Sequence, residues 1–339
     1  MYTDLDLSDL LDEKLEFEGL ENSRVCVLGG SGFIGKWLVS SLDCLNANFG
    51  MNIEVEVFTR NIEKASKIFL PSRSEQISIR GHDFNQAVIN LGEFDYIIHG
   101  ATPSTIRTGL NNDDDVYIGT LNATKSILHT AEVNGKSLRV VNLSSGAVYG
   151  VQPKELFLRP ESDFDLRARD LNSYSAAKID SELMFSNGLA SLNLISSSPR
   201  LFTFYGPGLE LNEHFAIGNF LRDGLSGKMI NVKGNPETVR SYMYPTDLIH
   251  WILKCLIAPE NRNFNIGSEN RITMSQLATL ISELTSSKGI QAENQDIPAN
   301  YYVPSTSNFR ESYGVSEKIT LETGLQRWIR WLLAKNFHA

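Results

Sequence analysis

The run Val25-Cys26-Val27-Leu28 is apolar, and Gly29-Gly30-Ser31-Gly32-Phe33-Ile34-Gly35 follows it at once. An apolar run this short, bounded by glycine, reads as a strand buried on both faces of a parallel sheet. Lys36-Trp37-Leu38-Val39-Ser40-Ser41-Leu42 then takes up helical periodicity. Strand, glycine turn and helix in that order make a phosphate-binding loop. Gly29 permits the tight turn, Gly32 lets the backbone approach a pyrophosphate, and Gly35 lets the helix pack close to the strand. The free N–H groups and dipole of the helix N-terminus hold the phosphates. Gly29, Gly32, Phe33, Ile34 and Gly35 are therefore candidate dinucleotide contacts.

The following segments repeat the alternation. Ile53–Phe58 is an alternating strand that ends at Thr59-Arg60-Asn61. This is where a doubly wound fold meets the adenosine ribose, with an acid for a 2′-hydroxyl or an arginine for a 2′-phosphate. Here the residue is Arg60 with no acid beside it, and a guanidinium suits a phosphate, so NADP is expected and NAD remains possible. Ile77–Phe84 is a third strand and its end, placing Asp83 for the adenine amino group and Phe84 beside the ring. His82 alone suggests neither metal nor catalysis. Tyr96–His99 leads into Gly100-Ala101-Thr102, where small residues such as Ala101 let the backbone lie near the cofactor. Asp113-Asp114-Asp115 opens a long helix, as acids at a helix N-terminus do; three consecutive residues cannot all face one metal ion, and none is expected. Leu138–Asn142 runs to the hydroxyls Ser144 and Ser145, and Asn193–Ser196 is a sixth strand.

The pattern predicts an α/β chain with a doubly wound, Rossmann-like parallel sheet and a smaller C-terminal substrate-binding lobe. The expected division is an N-terminal extension over 1–22, a dinucleotide-binding domain over 23–203 plus a returning segment 239–262, and a substrate lobe over 204–238 plus 263–339. A length of 339 residues exceeds one ordinary core and fits this arrangement. The extension carries an amphipathic segment, Leu7–Leu15, which Ser8 could cap.

Net charge is -9 and no Lys/Arg run makes a basic face, which argues against nucleic acid as a partner. Cys26, Cys44 and Cys255 are odd in number and show no paired spacing; Cys26 and Cys255 read as core thiols. No apolar stretch reaches membrane-spanning length and the N-terminus is not a signal peptide, so a cytoplasmic protein is expected.

Tyr174 and Lys178 are four apart in a segment that opens a helix, so they share one face. A free tyrosine titrates near 10, and a nearby ammonium favours its phenolate. Lys178 would also bind the nicotinamide ribose, and the Ser145 hydroxyl could hydrogen-bond the substrate oxygen that Tyr174 serves. Together the three would move a proton while a nicotinamide moves a hydride.

With these motifs in order, the chain resembles the extended short-chain dehydrogenases/reductases, in their nucleotide-sugar epimerase/dehydratase branch. The resemblance rests on Gly-Gly-Ser-Gly-Phe-Ile-Gly, Ser144-Ser145-Gly146-Ala147-Val148-Tyr149-Gly150, Tyr174 with Lys178, Pro199–Gly208, Arg240–Asp247 and Asn265–Ser268. It implies Ser145, Tyr174 and Lys178 as the catalytic set, and Leu201 among the cofactor contacts. It also implies that Thr203, Asn219, Val232 and Arg240 contact substrate, Arg240 at the diphosphate, and that the protein is a homodimer built on the helices containing Tyr117–Ala131 and Tyr174–Asn187.

Three departures carry information. The family usually has Thr where this chain has Leu28, and often Asn where it has Thr203. After the catalytic serine, sugar 4,6-dehydratases place Asp and Glu, and sugar-acid decarboxylases Ser and Glu; this chain has Gly146 and Ala147. The expectation is an NAD(P)-dependent oxidoreductase acting at C4 of a nucleoside-diphosphate sugar, foremost a 4-keto-sugar reductase. The alternatives are a 4-epimerase with tightly bound NAD and a catalytically silent NADP-binding sensor or scaffold. Dehydration would require acids from elsewhere, such as Glu210 or Glu213.

Overall fold

β-Branched and apolar residues put β1 (Arg24–Leu28) at the centre of a parallel sheet, with Val25 to Leu28 all buried. The computed structural model describes residues 9, 14–69, 75–102, 113–165, 172–188, 192–211, 215–258, 261–292 and 297–335. Most of the amphipathic N-terminal segment, Ser8 included, lies outside them, as does Glu213. The chain divides into two units. Unit 1 comprises Met1–Val148, Asp165–Arg200 and Ile249–Phe264; unit 2 comprises Tyr149–Phe164, Leu201–Leu248 and Asn265–Ala339.

In unit 1 the sheet strands and the helices between them are β1, α1 (Phe33–Phe49), β2 (Glu54–Thr59), α2 (Ile62–Phe69), β3 (Ile77–Gly81), β4 (Tyr96–His99), α3 (Asp113–Asn134), β5 (Leu138–Asn142), α4 (Ser173–Gly188) and β6 (Leu194–Ser197). They alternate, except that β3 is followed directly by β4. The six strands are all parallel and lie in the order β3-β2-β1-β4-β5-β6. This is the doubly wound sheet that the sequence predicts. Strand order reverses between β1 and β4, so a crevice opens at their carboxyl ends. On one face Cys26, Leu28, Ile97 and Val140 pack with Ala123 and Ile127 of α3 and Phe185 of α4. Burying this apolar face favours folding of unit 1. All three cysteines are free and buried.

Unit 2 is built from short elements. Strand Ile230–Val232 pairs in parallel with Ile290–Ala292, and Val239–Arg240 lies between Ile272–Thr273 and Tyr301–Tyr302. Helix Met274–Leu284 starts at a capping box, in which Thr273 and Gln276 satisfy each other's backbone N–H groups. Tyr205, Tyr244 and Trp328 of the C-terminal helix Leu321–Ala334 are fully buried together, with the Tyr205 and Trp328 rings 6.2 Å apart.

Candidate active site

The glycine loop takes its shape from close backbone approach. Gly29 has φ +80°, and a Cβ there would come within 2.6 Å of the Gly100 carbonyl oxygen. A Cβ on Gly35 would lie 2.5 Å from the Cα of Gly30, so α1 can pack on the loop only through glycine. Gly29 N–H donates to the Phe58 carbonyl at 3.0 Å, and Gly100 N–H to that of Leu28 at 2.9 Å, which ties the ends of β1, β2 and β4 together. The N-cap of α1 is Gly32; no side chain caps the helix and its first turn holds no acid. The positive end of the helix dipole lies at its leading N–H groups, an arrangement suited to an anion. Phe33 is buried and Ile34 half-buried at the start of the helix.

Around this loop unit 1 has a cavity of about 400 Å³, lined by residues that include Gly29, Ser31, Gly32, Arg60, Lys64 and Asp83. His82, Phe84, Ala101 and Thr102 also line it. The structure thus gathers the predicted Gly29, Gly32, Arg60, Asp83, Phe84 and Ala101 at one cavity. The hydroxyl of Thr59, the residue before Arg60, is 2.9 Å from that of Ser31 and accepts the Asn61 N–H at 3.2 Å. Asn61 Oδ1 caps α2 by accepting the Lys64 N–H at 2.8 Å, so Lys64 follows Arg60 by one helical turn, and both are exposed. Asp83 Oδ1 accepts the Asn85 N–H at 3.0 Å, turning the chain out of β3. Phe84 is buried, with the His82 ring edge-on to it at 4.7 Å. Ser31 and Lys64 were not legible as site residues. The only available signals were a hydroxyl inside the glycine loop and a cation four residues beyond Arg60.

The proton-handling set sits on α4 and at the end of β5. Asn172 accepts the Ser175 N–H at 2.9 Å and so starts α4 one residue before Tyr174 and Lys178 come round on one face. Lys178 is buried: its Nζ donates to the Leu143 carbonyl at 2.6 Å and to Thr102 Oγ1 at 2.7 Å, and lies 5.8 Å from the Tyr174 ring centre. Thr102 thereby joins this set to the cavity, whose wall it forms. Ser145 Oγ accepts the Ala147 N–H at 3.2 Å and is hydrogen-bonded with Tyr174. Burial raises the titration of the Tyr174 phenol, and the bond with Ser145 works against that rise. Burial lowers the Lys178 ammonium to about 7, opposed by the charge of Glu182. His99 is buried at the end of β4 with Nε2 3.2 Å from Thr124 Oγ1; burial, then the Lys178 charge, push it down to about 3, so it is neutral. Among the described residues no group of His, Cys, Asp or Glu is arranged to hold a metal ion.

A match to the family model for the NAD dependent epimerase/dehydratase family extends over residues 25–267. The chain belongs to this family. UDP-glucuronic acid decarboxylase 3 of Arabidopsis thaliana is 27% identical over 322 residues, covering 90% of this chain and 87% of that protein. UDP-glucuronate 4-epimerase 1 of the same organism is 24% identical over 337 residues, 91% of this chain and 76% of its own. The solved structure of UDP-glucose 4-epimerase from Thermotoga maritima superposes with a TM-score of 0.78 at 20% identity, covering 92% of this chain and 99% of that one, a likeness of fold.

The remaining predicted contacts of this epimerase/dehydratase chain belong to unit 2. Leu201 is buried, and Thr203 is half-buried with its carbonyl accepting the Met243 N–H at 3.0 Å. Asn219 Oδ1 accepts from Arg222 at 3.1 Å, and Val232 is buried. Arg240 Nη1 donates to the Val239 and Asn300 carbonyls at 2.8 and 3.1 Å, and burial lowers the titration of its guanidinium. Glu210 is exposed. The donor set of unit 1 fits a dinucleotide: a glycine cradle, an uncapped helix N-terminus and two cations at the end of β2.

Proposed function

We propose that this chain is an NAD(P)-dependent oxidoreductase acting at C4 of a nucleoside-diphosphate sugar, and within that class a 4-keto-sugar reductase using NADPH. One observation carries the reading of hydride chemistry at C4 without elimination. Ser145, Tyr174 and Lys178 are assembled, whereas the next residues on the strand end, Gly146 and Ala147, hold no transferable proton. A nicotinamide cofactor, when bound, supplies the hydride transfer. The chain's own residues handle the proton. Tyr174 gives its phenolic proton to the C4 oxygen as that oxygen gains negative charge, and Ser145 Oγ holds the oxygen in line. Lys178 stabilises the phenolate left behind. Elimination across C5–C6 would need a further base and acid at the sugar, which this strand end lacks.

The relatives named for UDP-glucuronic acid support a UDP sugar or a close analogue as substrate. Arg60 and Lys64 at one cavity support NADP, whose 2′-phosphate would meet both. On this reading Arg240 binds the substrate diphosphate, with Thr203, Asn219 and Val232 near the nucleoside and sugar. The family habit supports a homodimer through α3 and α4. A 4-epimerase that retains NAD is the second reading, favoured by the likeness to UDP-glucuronate 4-epimerase 1. An epimerase likewise needs no second acid.

The test is incubation with UDP- and dTDP-hexoses and their 4-keto-6-deoxy derivatives, with either cofactor. We expect oxidation of NADPH by a 4-keto sugar and no 4-keto-6-deoxy product from intact hexoses. Catalytic accumulation of that product overturns the reductase reading. Inversion at C4 without net cofactor turnover selects the epimerase.

A further inference from the structure

Unit 1 buries an ion pair that the proton chemistry above does not use. Glu182 lies on α4 one turn beyond Lys178, so Tyr174, Lys178 and Glu182 recur at every fourth residue along one helix face. Arg200 forks onto its carboxylate, Nε to Oε1 at 3.0 Å and Nη2 to Oε2 at 2.7 Å. Ser144, the neighbour of Ser145, donates from Oγ to Oε1 at 2.5 Å, and Asn263 Nδ2 donates to Oε2 at 3.4 Å. The Arg200 and Glu182 side chains are 5% and 4% exposed. Pairing charges at such depth is a weak way to stabilise a fold, because desolvation offsets most of the attraction. The hydrogen bonds from Arg200, Ser144 and Asn263 instead fix where the carboxylate can be.

The groups around Lys178 show what that fixed charge does. His99 of β4 is neutral, Tyr174 is neutral in its resting form, and Thr102 and the Leu143 carbonyl carry no charge. Lys178 Nζ meets the carbonyl of Leu143, and Glu182 meets the hydroxyl of the next residue, Ser144, so among the described residues Glu182 is the negative charge that bears on Lys178, with Arg200 as its partner. We propose that Glu182, clamped by Arg200, is a positioning residue of the reaction: it supplies the buried negative charge that holds the Lys178 side chain as an ammonium beside Tyr174. Burial alone drives Lys178 toward the neutral amine, and Glu182 pulls the other way. A neutral Lys178 would neither stabilise a phenolate nor carry charge to a ribose.

The inference rests on Lys178 acting beside Tyr174 as proposed above, but its test needs no substrate. The full chain is labelled with 13Cε-lysine and titrated by NMR, and the Lys178 signal is assigned by its loss in Lys178→Met. In Glu182→Gln/Arg200→Gln, which removes both charges and keeps polar partners, the Lys178 midpoint should fall by about one pH unit or more, roughly tenfold in proton affinity. Glu182→Asp, which keeps the charge, should leave the midpoint near that of the parent chain. A midpoint that is unchanged or raised in the double glutamine variant overturns the proposal. If the glutamine pair does not fold, Glu182→Met/Arg200→Met, which replaces the charges by packing, carries the same expectation and the same overturning result. A purely structural pair would change the melting temperature and leave the midpoint in place. The midpoint can stay put while Tyr174→Phe still abolishes turnover, so failure here is distinguishable from failure of the reductase reading.

Discussion

Tyr174 combines two opposed influences at a single oxygen. Burial makes its phenol a poorer acid than free tyrosine, while the bond with Ser145 eases ionisation. A proton donor held neutral until an oxyanion forms suits reduction, since the phenol has its proton to give at neutral pH. Replacing it with phenylalanine removes the hydroxyl and keeps the ring that lies 5.8 Å from Lys178 Nζ. Tyr174→Phe should therefore fold and bind cofactor as the parent does, and lose about 10²–10⁴-fold in turnover, the usual range for one positioned acid. Steady-state kinetics with cofactor binding measured alongside checks this; near-parental turnover would remove Tyr174 from the mechanism. Tyr174 could be proposed from the sequence because the pair at spacing four followed a strand-end serine. Thr102 and Glu182 could not be. Thr102 meets Lys178 only through a contact made by folding, and Glu182 meets Arg200 and Ser144 in the same way, contacts that the sequence does not display.

At the scale of elements, the sheet was legible because its central strands are short apolar runs and β2 and β3 alternate, each closed by small or polar residues, with helical periodicity between most of them. Unit 2 was less legible: its strands are two or three residues long and pair across large sequence separations, as Val239–Arg240 does with Tyr301–Tyr302. No periodicity accumulates in so few residues. The packing of α1 on the glycine loop gives a direct test. Alanine is the better helix former by about 1 kcal/mol, which would favour Gly35→Ala on propensity alone. The added Cβ, however, would lie 2.5 Å from the Gly30 Cα and 2.6 Å from the Gly29 carbonyl oxygen, backbone atoms that cannot rotate away. Overpacking of this kind costs about 1–3 kcal/mol and displaces the loop itself. Gly35→Ala should lower both stability and cofactor affinity. Gly50→Ala at the other end of α1 meets nothing within 4 Å but has φ +65°, so it should lower stability and leave cofactor affinity alone. Chemical denaturation and cofactor titration of both variants separate the two; equal loss of affinity in both would mean that loop shape does not govern binding.

At the scale of the molecule, net charge -9 disfavours an anionic ligand unless cations are concentrated at its site, and Arg60 and Lys64 do this at the β2 end of the cavity. Every residue gathered there belongs to unit 1, so cofactor binding should be read most directly in the melting of that unit. A ligand that binds only the folded state stabilises it by RT ln(1 + [L]/Kd), about 2.7 kcal/mol at a hundredfold excess over Kd. For a body of this size that is a rise of roughly 5–10 °C. A charged contact to the 2′-phosphate is worth about 1.5–3 kcal/mol, or ten- to a hundredfold in affinity. NAD+ at the same concentration would then sit at about one to ten times its Kd and contribute roughly 0.4–1.4 kcal/mol, a rise of about 1–5 °C. Arg60→Ala removes most of the difference, so its NADP+ shift should fall to the NAD+ value while the NAD+ shift is unchanged. Thermal melting of parent and variant with each cofactor at one concentration measures all four shifts. Equal shifts by NADP+ and NAD+ in the parent chain would reduce Arg60 to a solvated surface residue. They would also favour the epimerase reading over the reductase, because the choice of a phosphorylated cofactor is what ties the site to net reduction.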